Sequence, residues 1–305
     1  MMLRTLSAEP TVVSPWLLVC KRALDYLALT KPRVVLMVLI TAFVGFYLAS
    51  PGEIHWLLLG HTLIGVTLAS GGTLALNQYL ERELDAHMVR TRERPLPEGR
   101  LQPGEALGFG VAITASGLIY LTWLVNPLSG LVTAVSVGSY LFLYTPLKQK
   151  TPLCLMVGAV PGALPPVTGW AAASGGLSLE ACVLFAILFL WQIPHSLSIA
   201  VLYREDYARA NFQLLPVVEP EGTRTGRQIV VHSLALLAVG LLPTTLQVAG
   251  PVYFVTAFIL GMAMLICGVM VAISYSSAAA RRLLFASLIY LPTLLVMMAV
   301  DKVRM

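Results

Sequence analysis

Residues 252–275 read VYFVTAFILGMAMLICGVMVAISY, twenty-four consecutive positions without a charged side chain. A helix of about 20 apolar residues is long enough to cross the hydrocarbon layer of a bilayer. Reading outward with the same window gives eight more such stretches, at 33–50, 56–80, 106–125, 128–146, 153–172, 179–202, 228–248 and 283–300. Pro51-Gly52, Asn126-Pro127, Gly175-Gly176 and Gly250-Pro251 separate many of them. The short alternating segments of a membrane β-barrel are absent. Of 305 residues, 57% are hydrophobic and 11% charged, and the mean hydropathy is +0.81. Soluble domains carry about 25% charge, so a soluble core would leave most of these apolar residues uncovered. The sequence predicts an all-α polytopic membrane protein, with nine transmembrane helices in a single bundle over 33–300.

Charge placement tests that count. Lys and Arg concentrate on the cytoplasmic side of membrane proteins. With nine spans and the N-terminus inside, 18 of the 20 basic residues fall on one side; only Lys302 and Arg304 fall on the other. The net charge of +5 thus records topology and gives no sign of a nucleic-acid partner. Residues 1–32 read as a cytoplasmic interfacial segment and 301–305 as an extracytoplasmic tail. Cys20, Cys154, Cys182 and Cys267 lack disulfide or zinc spacing and read as packing residues.

Polar residues then cluster beyond what topology needs. Asn77, Glu81 and Asp85, at the end of the second span, recur at i, i+4 and i+8, one stripe on a helix. An amide and two carboxylates suit a hard cation, and magnesium takes few protein carboxylates while binding substrate phosphates with its other positions. Arg90, Arg92 and Arg94 follow, with the fork geometry that matches phosphate. The competing reading is a solvated helix end with i, i+4 ion pairs, the role that suits Glu83.

A second cluster ends the sixth span on the same membrane side: Trp191, Pro194 and His195, then Tyr203-Arg204-Glu205-Asp206-Tyr207. Lying four spans after the first, it occupies a corresponding position if the chain holds two similar halves. Asp206 reads as a second ligand near the metal. Eleven residues separate it from His195, about three turns, so an unbroken helix would align them. His195 sits in an apolar span, where ionisable residues face the bundle interior; it serves either as a bond between helices or as a substrate contact. Tyr144-Thr145-Pro146-Leu147-Lys148 ends the fourth span and adds Lys148 to the same side. Lys31 and Arg33, before the first span, do likewise.

Asn77-xxx-Glu81-xxx-Asp85 followed by Arg90-Thr91-xx-Arg94-Pro95-Leu96 resembles the first diagnostic motif of the UbiA prenyltransferase superfamily. The similarity continues through Tyr144-Thr145-x-Leu147-Lys148-xx-Thr151-Pro152 and Gly162-Ala163-Leu164-Pro165-Pro166-xx-Gly169-Trp170. It includes Trp191-xx-Pro194-His195 and Glu205-Asp206-Tyr207, with Leu215-Pro216-Val217-Val218 beyond. Glu81 stands where Asp is commoner in the family. The second region lacks the repeated Asp-xxx-Asp of enzymes acting on quinone precursors, so the haem-farnesylating branch resembles it best. That resemblance implies Mg2+ held by Asn77, Glu81, Asp85 and Asp206, with farnesyl diphosphate bound by Arg90, Arg94, Lys148, Lys31 and Arg33. It implies haem B as acceptor near His195, Trp191, Tyr144 and Tyr207, in a bacterial inner membrane. A haem A synthase or terminal-oxidase assembly factors are then candidate partners.

Three other readings stay open at this level. One keeps the chemistry and changes the acceptor to a quinone precursor or another aromatic ring. A transporter predicts ionisable residues at mid-membrane on several spans, whereas the acids here collect at one edge beside arginines. A non-catalytic haem-binding protein would use His195 and leave the acidic stripe without a role.

Overall fold

The computed structural model describes residues 15–303. Every element of two or more residues among them is helical, and the one β-bridge pairs Ala249 with Lys302. In chain order these are α1 (Pro15–Leu29), α2 (Pro32–Ala49), α3 (Trp56–Leu80), α4 (Arg82–Ala86), α5 (Pro103–Leu124) and α6 (Pro127–Gly138). A π-turn at Ser139–Tyr144 leads into α7 (Thr145–Leu147), followed by α8 (Cys154–Ala163), α9 (Pro165–Ser174) and α10 (Leu179–Leu202). The chain ends with α11 (Arg204–Arg209), α12 (Leu215–Val218), α13 (Thr223–Gly240), α14 (Leu242–Thr245), α15 (Pro251–Ser274) and α16 (Ser277–Val300).

Nine helical stretches among the described residues are long and apolar enough to cross a membrane, as the hydropathy predicts. Three of them are compound. The fourth runs through the π-turn, Pro165 and Pro166 break the fifth after Leu164, and Pro243 offsets the short last turn of the seventh. Proline removes a backbone donor and clashes with the preceding turn, so these breaks follow from sequence. Several helices begin before their apolar stretch does. α5 starts at a capping box in which Gln102 and Glu105 satisfy each other's backbone donors, and Ser276 caps α16 through Ala279 N. Hydropathy detects only the part in lipid; the capped polar turns extend beyond it.

α16 returns to α2, while α3 lies between α2 and α5, and α10 between α8 and the α13–α15–α16 unit. Between helices in lipid, close packing replaces the hydrophobic driving force, and small residues permit it. At the α2–α9 contact, Gly45 faces the Pro166 carbonyl and Gly169 faces that of Ala42, so any Cβ there would overlap backbone. Trp123, Phe142 and Ile273 are instead exposed on the outer surface, the face that meets acyl chains.

α1 lies against the polar end of the bundle. Arg22 bonds Glu105, Asp25 bonds Arg100, and Leu29 is buried with Ala75, Leu96, Leu101 and Ala106. Trp16, Val19, Leu24 and Leu27 are exposed; residues 1–14 of the expected interfacial segment lie outside the described ones. At the opposite end Asp301–Val303 is docked. Lys302 Nζ donates to Tyr47 O and Ser50 O at 2.8 Å each, and Asp301 Oδ2 accepts from Tyr253 N at 2.7 Å. One acidic and one basic residue thus satisfy backbone at the ends of α15 and α2. All four cysteines are free thiols; Cys154 packs in the core, but Cys182 is exposed.

Two outcomes follow. Gly169→Val forces backbone apart and should cost about 1–3 kcal/mol, lowering the melting temperature in detergent. Gly60→Ala, with open space around it, should leave that temperature unchanged or raise it. Lys302→Met frees the carbonyls of Tyr47 and Ser50 and should lower the melting temperature while leaving the far end of the bundle intact by hydrogen exchange.

Candidate active site

The polar end of α3 carries the stripe. Glu81 terminates the helix at φ −97°, ψ 7°, so the continuous helix expected from spacing is broken there. The stripe survives because Glu81 N still bonds Asn77 O at 3.0 Å and Asp85 N bonds Glu81 O at 2.8 Å. Asn77, Glu81 and Asp85 are 1%, 5% and 1% exposed, which rules out the solvated helix end. Glu83, off the face, is exposed and pairs with Arg82; His87 is exposed and turned to the Glu83 carbonyl.

Each oxygen donor of the stripe has one basic partner. Asp85 Oδ2 accepts from Arg94 at 2.6 Å, Glu81 Oε1 from Lys148 at 2.6 Å, and Asn77 Oδ1 from Lys31 at 3.1 Å. Three loops therefore converge on one helix end. The loop after α4 is held by Thr91, whose hydroxyl donates to Asp85 O at 2.9 Å. Lys148 lies between the rings of Tyr144 and Phe212, at 4.5 and 5.7 Å to their centroids. Lys31 sits in the left-handed region at φ 49°, a costly conformation for a side-chain-bearing residue, just before Pro32 fixes the start of α2. Burial, and then the Arg94 guanidinium, push its ammonium down to about 7; an anion brought into the cavity would favour the charged form.

These residues line a cavity of about 340 Å³ that also includes Arg90, Tyr140, Ser196, Tyr207 and Phe212. Lys31, Arg90, Arg94 and Lys148 face only two carboxylates there, so the cavity is electropositive. A second, mostly apolar cavity of about 260 Å³ lies deeper, between α2, α3, α6, α8, α9 and α10. Val34, Tyr140, Tyr144, Leu155 and Ser196 line both. A charged chamber thus shares a wall with an apolar one, and the charged chamber is in the size range of ligand sites. The π-turn helps set the junction, placing the Tyr140 and Tyr144 rings 5.3 Å apart along the shared wall.

The structure does not bring every expected residue here. Arg33 is exposed and turned away from both cavities. α10 ends at Leu202, and Tyr203, at φ −110° and ψ 26°, separates it from α11, so no unbroken helix joins His195 to Asp206. Asp206 bonds Arg209 and lines a different cavity with Glu205. Arg90 stands between the two, 5.6 Å from the Tyr203 ring and 6.0 Å from that of Tyr207. His195 and Trp191 turn toward α16 instead. Thr145, Tyr140 and Phe212 were not singled out in the sequence. Thr145 Oγ1 accepts from Asn77 Nδ2 at 3.3 Å, and the i, i+4 spacing of Tyr140 and Tyr144 was the signal that could have found that pair.

Among the described residues no three His, Cys, Asp or Glu side chains form a ready-made metal cage. Asn77, Glu81 and Asp85 offer one amide and two carboxylate groups, hard donors that fit magnesium shared with a phosphate ligand.

The profile of the UbiA prenyltransferase family matches residues 38–289. A protoheme IX farnesyltransferase of Solibacter usitatus is 48% identical over 287 residues, covering 91% of this chain and 98% of that one. A second, from Koribacter versatilis, is 42% identical over 91% of this chain and 93% of its own length. Among solved structures, a digeranylgeranylglyceryl phosphate synthase superposes with a TM-score of 0.80 at 16% identity, over 93% of this chain and all of that one. A UbiA homolog from Archaeoglobus fulgidus bound to GPP and Mg2+ gives 0.64 at 17% identity, over 90% and 99%. The structural likenesses carry the fold; the sequence matches establish that this chain belongs to the UbiA prenyltransferase family.

Proposed function

We propose that the joined cavities transfer a farnesyl group from farnesyl diphosphate to a vinyl group of protohaem IX, releasing diphosphate. One observation carries the prenyl-transfer part: the buried Asn77–Glu81–Asp85 stripe, matched by Lys31, Lys148 and Arg94, lines a chamber that shares a wall with an apolar one. A prenyl diphosphate has the same division, a trianionic head on a hydrocarbon tail. The relatives at 42–48% identity, named for protohaem farnesylation, support the acceptor and the chain length.

Asn77, Glu81 and Asp85 would hold magnesium, as a relative of this fold does with GPP; bound there, the ion supplies positive charge to the diphosphate head. Arg90, Arg94, Lys148 and Lys31 bind its oxygens and stabilise the charge that grows as the allylic C–O bond breaks. Fixed cations act strongly in a site that excludes water. The bonding electrons leave with diphosphate. The vinyl π-electrons then form the new C–C bond, water adds to the resulting cation, and a proton is lost, giving a hydroxyethylfarnesyl haem. Tyr140, Tyr144 and the apolar chamber keep water from the allylic cation until then. The chain would work in a bacterial inner membrane with this end cytoplasmic, as its basic loops indicate. Residues 304–305 lie outside the described ones.

In nanodiscs with haem B, farnesyl diphosphate and Mg2+, mass spectrometry should detect farnesylated haem. Asp85→Ala should cut turnover at least about 10²-fold, the scale for losing a principal charge-stabilising group. Prenylation of a quinone precursor in place of haem would move the acceptor; inactivity with both would sink the enzyme reading for these cavities. A second test separates stability from catalysis. Lys148→Met leaves Glu81 buried and unpaired, at a cost of about 3 kcal/mol or more. Adding Glu81→Gln should restore the melting temperature, while activity stays lost in both variants.

A further inference from the structure

Trp191 and His195 form a small assembly with α16 that the cavities do not explain. Their rings stack at 4.7 Å, with 18° between the planes. Trp191 Nε1 donates to Ser287 O at 2.9 Å, and His195 Nδ1 lies 2.8 Å from Ser287 Oγ. Ser287 is fully buried and belongs to no motif in the sequence. Both its backbone and its side chain are used to hold α10.

The direction of one bond follows from proton count. Ser287 Oγ donates to Leu284 O at 2.7 Å, and a hydroxyl has only one hydrogen to give. Toward His195 it can therefore only accept, so Nδ1 carries the hydrogen. A neutral imidazole protonated at Nδ1 has a bare lone pair on Nε2. No hydrogen bond from a described residue reaches Nε2, and Nε2 is not among the enclosed unpartnered atoms. A staple between helices needs only the Nδ1 bond; an open, oriented Nε2 is what a metal ligand needs, its other nitrogen fixed by a hydrogen bond.

Position agrees. Gln192 and Ser196 of α10 line the apolar chamber, and Ser196 lines both. Trp191 and His195 each precede one of them by a single residue, about 100° around the helix. A group attached at His195 would therefore lie on the flank of α10 next to the row that lines the chambers. Trp191 offers the face of an indole along the same row.

We propose that His195 is an axial ligand of the acceptor's iron through Nε2, and that Ser287 is the positioning residue that fixes its tautomer and ring plane. This rests on the haem-acceptor reading above. Ser287 touches neither iron nor farnesyl diphosphate; it acts through His195 and Trp191.

The test titrates full-length chain in lipid nanodiscs with two probes, ferric haem B and iron-free protoporphyrin IX, read by absorption and electron paramagnetic resonance. His195→Gln keeps a donor for Ser287 and removes the iron ligand. It should lose the imidazole-ligated iron spectrum and weaken haem at least 10-fold, while the iron-free porphyrin binds within twofold of wild type. In His195→Gly, added imidazole should bring the spectrum back. Ser287→Ala should weaken haem about 10–100-fold, the usual effect of losing a ligand's hydrogen-bond partner, and Ser287→Thr should recover most of it. Asp85→Ala, which stops transfer, should keep the iron spectrum. A wild-type iron spectrum in His195→Gln would overturn the proposal, as would equal weakening of both porphyrins, the mark of a purely structural histidine. If wild type farnesylates haem without an imidazole-ligated spectrum, the ligand assignment falls alone. If it binds neither porphyrin and transfers nothing, the acceptor reading falls with it.

Discussion

Two carboxylates buried at the edge of a membrane constrain the polar end of this molecule. Glu81 and Asp85 are almost inaccessible, and a carboxylate taken from water without a partner costs several kcal/mol. Lys148 and Arg94 answer that cost, and each is delivered by a different loop. Because the partners come from the end of α6–α7 and from the segment after α4, these loops cannot move independently of α3. The fold thereby converts a need for charge balance into a convergent, electropositive chamber. The same pairing keeps a set of oxygen donors and a set of phosphate-binding cations adjacent, which neither set would tolerate alone.

The deeper chamber depends on a different force. Spans in lipid gain little from hiding apolar groups from one another, so where they touch is decided by small residues and proline. Gly45 and Gly169 bring α2 and α9 together, and the break before Pro165 redirects the fifth span beside the chamber it lines. The π-turn does the same for Tyr140 and Tyr144. Such departures from regular helix often mark functional sites; here the π-turn falls on the wall shared by the charged and apolar spaces, and the Pro165 break on the apolar one.

The span count and the acidic stripe were legible in the sequence, since hydropathy and i, i+4 spacing are local properties. The breaks at Glu81 and Tyr203 were not. Backbone bonds bridge both breaks, yet only the stripe gathers in one cavity; Asp206, beyond Tyr203, lines another. Lys31 and Arg33, both basic and separated only by Pro32, part company where the backbone turns left-handed at Lys31. Ser287 could not be found at all: its importance comes from which helix it faces. Pairing across the bundle is a tertiary fact that a single sequence does not print.

The docking of Asp301–Val303 has a consequence for how this protein comes into being. Lys302 closes on carbonyls of the first span more than 250 residues earlier. A contact so distant along the chain forms only once the ninth span has been made, whereas domains otherwise fold as they emerge. Until then the carbonyls of Tyr47 and Ser50 lack this partner. Insertion of the last span therefore closes the bundle back onto its first, a latch at the end opposite the acidic stripe.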